Sequence, residues 1–213
     1  MPIKAVFFDI GGVLENTPET GWTDKWEDDL HLKRGELDER LMHIWKAGSL
    51  GFISEEEVKK SIGEILEIDQ EQVEALMADL WEEYLGTPNT ELITYFANLR
   101  PRYKTALLSN SYVGARSREQ ERYHFMDICD LIIYSHEEGV AKPDRRIFDL
   151  LCARLSMQPA EIIFLDDVEG HVAAARELGI HAILFRENQE AIAAIQACLQ
   201  SPLRSDTNSI HSE

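Results

Sequence analysis

Residues 5–16 read AVFFDIGGVLEN. Ala5 to Phe8 is an unbroken apolar run, as a strand buried on both faces requires. It stops at a carboxylate, Asp9, and two glycines, Gly11 and Gly12, follow almost at once. Parallel sheets bind their ligands beyond the carboxyl ends of the strands. An acid at that point, with side chains removed around it, predicts such a sheet with a site at its edge.

Four more short, β-rich apolar runs follow: Thr105–Leu108, Leu131–Tyr134, Ile162–Leu165 and His181–Phe185. The first and third of these run into Ser109 and Asp166, as the opening run does into Asp9. Helix-patterned segments separate the runs. Ile147, Leu150, Leu151 and Leu155 mark one helix, and Val172, Ala175 and Leu178 mark another that stops at Gly179. The alternation predicts an α/β fold built on a doubly wound parallel sheet.

Between the first two runs the pattern changes. Val73, Leu76, Met77, Leu80, Trp81, Tyr84 and Leu85 keep helical spacing for three turns. Ser54 and Glu57 have the spacing of a capping box, and Trp22 and Trp26 sit one turn apart. No stretch here has a strand pattern. The expected organisation is a core of residues 1–14 and 89–200, a helical insertion over 15–88, and a polar tail, 201–213, expected to be mobile. All four tryptophans (Trp22, Trp26, Trp45, Trp81) fall in the insertion. The simpler expectation is that they form its own small core, Trp81 above all; the functional one sets a tryptophan over a ligand.

The formal charge is -18, and the insertion carries most of it, with 20 acidic against 7 basic residues between Glu15 and Pro88. Such a balance argues against nucleic acid and anionic membranes as partners, both of which demand a basic face. There is no uncharged apolar stretch near membrane-spanning length, and Asp9 makes the N-terminal run a poor secretory signal. Cys129, Cys152 and Cys198 lack metal-ligand or redox spacing, so three reduced cysteines in a cytoplasmic protein are expected.

The polar residues that end the apolar runs are Asp9, Ser109 with Asn110, and Asp166 with Asp167. Lys142, in GVAKPD, opens the segment after the third strand. Acids this close repel one another unless a cation or proton intervenes. Hard oxygen ligands with open positions suit a magnesium ion (Mg2+), which recruits phosphate oxygens, while a lysine and a serine take the remaining ones. These residue types predict magnesium-dependent phosphoryl transfer.

Asp9 in FFDIGGVL, Ser109 in LLSNS, Lys142 in VAKPD and the segment FLDDVEGHVAAARELGI resemble, in order, the four motifs of the haloacid dehalogenase superfamily. The resemblance spans Ile3 to about Phe185. It is strongest to the small phosphatases grouped with the N-terminal phosphatase domain of soluble epoxide hydrolase, in which a helical cap follows the first strand. The resemblance implies that Asp9 attacks the phosphorus of a small phosphorylated metabolite and becomes an aspartyl phosphate. Asp9, Asp167 and the Gly11 carbonyl would hold magnesium, with Asp166 ligating or orienting from behind. Ser109, helped by Asn110, would bind phosphate oxygens, and Lys142 would neutralise phosphate charge and position the nucleophile.

Two positions depart from the family pattern. Many members carry a second Asp two residues after the nucleophile, as general acid and base; here that residue is Gly11, although some phosphatases of this branch also have glycine there. General acid help is worth about 10²–10⁴-fold. A substrate with a good leaving group would need less of it, or another acid would substitute, or turnover has been lost. Glu15 is the nearest candidate substitute by sequence, but reads more simply as a solvated loop acid. His171 stands where the family commonly has asparagine, and is expected to be a structural hydrogen-bond partner. The alternatives to a phosphatase are an inactive phosphate-binding module and a haloacid dehalogenase, against which the Asp166–Asp167 pair speaks.

Overall fold

The computed structural model describes residues 1–200, so the 201–213 tail lies outside the described residues. From the N-terminus, β1 (Ala5–Phe8) and β2 (Glu15–Asn16) lead into four helices: α1 (Trp22–Asp29), α2 (Glu36–Ser49), α3 (Glu55–Leu66) and α4 (Gln70–Leu85). The chain returns through β3 (Thr87–Pro88), α5 (Thr90–Ala97) and β4 (Lys104–Ser109), then α6 (Ala115–Tyr123), α7 (Phe125–Ile128) and β5 (Leu131–Tyr134). It closes with α8 (Ser135–Glu138), α9 (Arg145–Leu155), β6 (Ile162–Asp166), α10 (Glu169–Glu177), β7 (His181–Leu184) and α11 (Asn188–Gln200).

Five strands form one parallel sheet in the order β5-β4-β1-β6-β7. Their bounds fall within one residue of those read from the apolar runs. The run Ala5–Phe8 has no polar break because both its faces are covered. Val6 and Phe8 pack with Phe96, Leu107 and Leu165 on one side, while Ala5 and Phe7 pack with Leu108, Phe148 and Phe164 on the other. Two helical layers over a five-stranded parallel sheet make the doubly wound α/β architecture.

The insertion has its own apolar cluster, in which Trp26, Leu37, Leu41, Val58, Ile62 and Trp81 are buried. Tyr112 and Ala115 of the core join that cluster and seat the helices on the sheet domain. Ser54 caps α3 through the expected capping box, and Asp69 does the same for α4 with Gln72. The pairing of β2 with β3 corrects the expectation of no strand here: Glu15 lies opposite Pro88 and Asn16 opposite Thr87. Two residues are too few for alternation to show, and the pairing is long-range. Asn89 continues it, donating its backbone N–H to Leu14 O at 2.8 Å. Among the described residues no helix is long and apolar enough to cross a membrane.

Candidate active site

β1 is the middle strand, and its last residue, Phe8, pairs with Leu107 of β4 and Leu165 of β6. The chain crosses to opposite sides of β1, so the sheet has its switch in strand order here. The residues after Phe8 and Leu165 therefore stand level, which brings Asp9 beside Asp166. The Asp9 backbone N–H donates to Leu165 O at 2.9 Å and fixes the register.

Lys142 lies between these two carboxylates. Its Nζ is 2.7 Å from Asp9 Oδ1 and 2.7 Å from Asp166 Oδ2, and its side chain is fully buried. Asn110 holds the lysine from behind: its Nδ2 donates to Lys142 O at 2.9 Å and its Oδ1 accepts from Lys142 N at 2.8 Å. The Asn110 side chain, expected beside the phosphate with Ser109, thus gives one amide N–H and its oxygen to the lysine backbone. Ser109 ends β4 and is buried, and among the described residues its hydroxyl has no hydrogen-bond partner.

The three acids differ in their surroundings. Burial opposes ionisation of Asp166, yet hydrogen bonds from His171 Nδ1 at 3.0 Å, Lys142 at 2.7 Å and Val168 N at 2.8 Å hold its pKa down at about 2. Asp9 is raised to about 7, chiefly by burial; the Asp166 charge pushes the same way and Lys142 only partly offsets them. Asp167 stands at the exposed rim with its carboxylate against Gly12, where a Cβ would come within 2.2 Å of Oδ2. Partial shielding and the neighbouring Asp166 raise its pKa.

A magnesium ion fits this donor set. Carboxylate oxygens of Asp9 and Asp166 and a ring nitrogen of His171 lie within 4.8 Å of one another. Asp167 is outside that trio, turned against Gly12. Three acids face one lysine, and besides burial the Asp166 charge pushes Asp9 and Asp167 upward. Hard oxygens with open positions suit magnesium, whereas the His171 nitrogen is committed to Asp166. His171 is the hydrogen-bond partner that its position suggested.

Glu15 overturns its reading as a solvated acid. It is 1% exposed, and its Oε1 has no hydrogen-bond partner. Burial, then the charges of Glu119 and Asp9, push its pKa up to about 10, so it carries a proton at neutral pH. Glu119 of α6 is buried with it and receives hydrogen bonds from Tyr134 and, at 3.3 Å, from Tyr84. Nothing in the local sequence marked this group, because Glu119 is remote in the chain and meets Glu15 only where the β2–β3 ribbon joins the core. Gly11 has open space: an added Cβ would meet nothing within 4 Å.

A cavity of about 520 Å³ lies between the insertion and the sheet domain. Asn110, Ser111 and Ala141 line it, and these are the chain neighbours of Ser109 and Lys142. Trp22 and Trp45 line it too, while Trp26 and Trp81 are buried in the insertion's own core. Trp22 and Trp45 are partly buried against the same core, so all four tryptophans join it, as the simpler expectation had it. A larger cavity of about 720 Å³, between α3 and α4, is lined by Glu56, Lys59 and Glu74 and by no residue of the carboxylate site.

Comparison with known proteins agrees with this architecture. The family described as haloacid dehalogenase-like hydrolase matches residues 3–179. Acyl-CoA dehydrogenase family member 10 of Mus musculus is 31% identical over 94% of this chain, which spans only 19% of that protein's length. D-ribitol-5-phosphate phosphatase of Bacteroides thetaiotaomicron is 26% identical, over 83% of this chain and 89% of its own. The crystal structure of a HAD family enzyme, bt-2542, from the same organism, in complex with magnesium and inorganic phosphate, shares the fold with a TM-score of 0.75. It is 24% identical over 89% of this chain and 98% of that one. From the match over residues 3–179 and the shared fold, the chain belongs to the haloacid dehalogenase-like hydrolase family.

Proposed function

We propose that the protein is a magnesium-dependent phosphatase of a small phosphorylated metabolite, acting through an aspartyl phosphate on Asp9. The observation that carries this reading is the buried Lys142 ammonium, 2.7 Å from both Asp9 and Asp166 at the switch point of the sheet. A lysine so placed screens the approach of an anionic phosphoryl group and fixes the attacking carboxylate. Asp9 Oδ1 is anchored by Lys142 and by Ile10 N–H at 2.8 Å. The free hydroxyl of Ser109 can donate to a phosphate oxygen. Asp9, Asp167 and the Gly11 carbonyl would hold magnesium, with Asp166 aligned by His171 and Lys142; when bound, the ion supplies charge neutralisation at the phosphate.

Asp9 attacks phosphorus, the P–O bond to the leaving group breaks, and its oxygen takes a proton from solvent to leave as the alcohol. Water later cleaves the acyl phosphate to return free Asp9 and inorganic phosphate. Positioning and electrostatics carry most of the work in phosphoryl transfer. The phosphatase named among the relatives and the magnesium and phosphate complex among the neighbours support this reading. It is tested by phosphate release from a panel of phosphomonoesters with and without magnesium. Wild type should require the metal, and Asp9→Asn should lose at least about 10³-fold. Release of phosphate by Asp9→Asn at the wild-type rate would exclude Asp9 as nucleophile.

A further inference from the structure

The cavity beside Ser109 and Lys142 has an unusual division of polar and apolar groups. Trp22, Trp45, Leu80, Tyr84 and Tyr112 form much of its wall. Their rings are chained edge to face, Trp22 to Trp45 at 6.5 Å, Trp45 to Tyr112 at 6.0 Å and Trp81 behind to Tyr84 at 5.1 Å. Such contacts fix the rings and leave a rigid apolar surface.

The serine, asparagine and Tyr84 side chains of the wall are already occupied. Ser111 Oγ is 2.6 Å from His136 Nδ1, and Ser135 Oγ donates to Ser49 O at 2.8 Å. Ser49 Oγ donates to Lys46 O, and Tyr84 Oη to Glu119. Asn110 spends its amide on Lys142. The Tyr112 hydroxyl is buried without a partner, close to Gly48 of α2. Asp38 and Lys46, the charged lining residues, are exposed to solvent. The Trp22 and Trp45 indole N–H groups, which have no partner among the described residues, are the donors left over.

A leaving group rich in hydroxyls would enter this space and lose water while gaining little inside it besides the two indole donors, and each unpaired hydroxyl weakens binding. An apolar body loses nothing and buries its surface against the rings. We infer that the preferred substrates are phosphate monoesters of an apolar, ring-bearing alcohol, held by the aromatic wall of Trp22, Trp45 and Tyr112, rather than of a polyol or sugar. The inference rests on the phosphatase reading for the phosphate end and adds the chemistry of the other end. It departs from the polyol phosphate that names the Bacteroides relative.

The test compares 2-phenylethyl phosphate with ribitol 5-phosphate, both alkyl esters, so that leaving-group acidity does not decide the outcome. With magnesium present, kcat/KM for the phenylethyl ester should exceed that for the polyol ester by about tenfold or more. Trp45→Ala should bring this ratio towards one, and Trp45→Phe should restore most of it. A ratio below one in the wild type, or one untouched by Trp45→Ala in a folded protein, overturns the inference. Binding of 2-phenylethylphosphonate against methylphosphonate, read by competition or thermal shift, gives a second arm that needs no turnover. If no ester is hydrolysed but the phenylethyl compound binds about tenfold tighter, the aromatic site stands and the phosphatase reading falls. Equal binding of the two phosphonates refutes the aromatic site whatever the esters do.

Discussion

Gly11 and Gly12 are adjacent, yet an alanine at each should have opposite consequences. Gly12 has φ +72, a conformation that costs an L-residue about 1–2 kcal/mol, and an added Cβ would lie 2.2 Å from Asp167 Oδ2 and 2.7 Å from its Cγ. Relief of that clash requires the carboxylate to retreat by about 1 Å, and a misplacement of that size at a reacting centre costs about 10²-fold. Gly12→Ala should therefore lower kcat/KM by about 10²-fold, weaken the apparent affinity for magnesium, and lower Tm by about 2–6 °C. Gly11 has no positive φ and nothing within 4 Å of its added Cβ, so Gly11→Ala should cost less than about threefold. Phosphate release during a magnesium titration, with a thermal melt of each variant, reads all of these quantities. Gly12→Ala with wild-type turnover and magnesium response would refute the proposed seating of Asp167. Equal losses in both variants would refute the distinction drawn between the two glycines.

The open space at Gly11 also accommodates a carboxylate: Gly11→Asp should raise kcat on esters of poor leaving groups by about tenfold or more, with a smaller gain on acetyl phosphate. Glu15→Gln should flatten the pH dependence of stability. The raised pKa of Glu15 means that the folded state holds a proton the unfolded chain releases, so wild-type stability falls as pH rises from 4.5 towards about 10. Tm of the variant should gain on wild type across that window, corresponding to at most about 1.4 kcal/mol per pH unit, and parallel profiles would show that Glu15 is not protonated. Lys142→Met removes the ammonium between Asp9 and Asp166, so it should destabilise by about 3–5 kcal/mol at pH 8, less at pH 5, and abolish phosphate release; calorimetry at the two pH values checks the sign.

The sheet and the meeting of Asp9 with Asp166 were legible because both faces of the central strand are covered and the register is parallel. An apolar run then shows where each strand stops, and the polar residue after it must lie at the common edge. The α3 and α4 boundaries were open to reading for a local reason, since caps such as Ser54 with Glu57 act within one turn. The burial of Glu15 was hidden. Its neighbours Glu119 and Tyr84 come from distant segments, and an acid in a short loop looks solvated until the two-residue ribbon covers it. The task of Asn110 was hidden too. An amide next to a serine at a strand end suggests a ligand, and only folding shows the Lys142 backbone 2.8–2.9 Å away.

The ribbon of β2 and β3 has one more consequence. Because Glu15 lies opposite Pro88 and Asn16 opposite Thr87, departure from and return to the sheet domain occur side by side. Paired strands sit about 5 Å apart, so the sheet domain registers only that narrow gap and not the length or shape of what is spliced into it. A helical module of another size with closely spaced ends can be transplanted at this junction, exchanging the chamber above the carboxylates while the strands beneath keep their order.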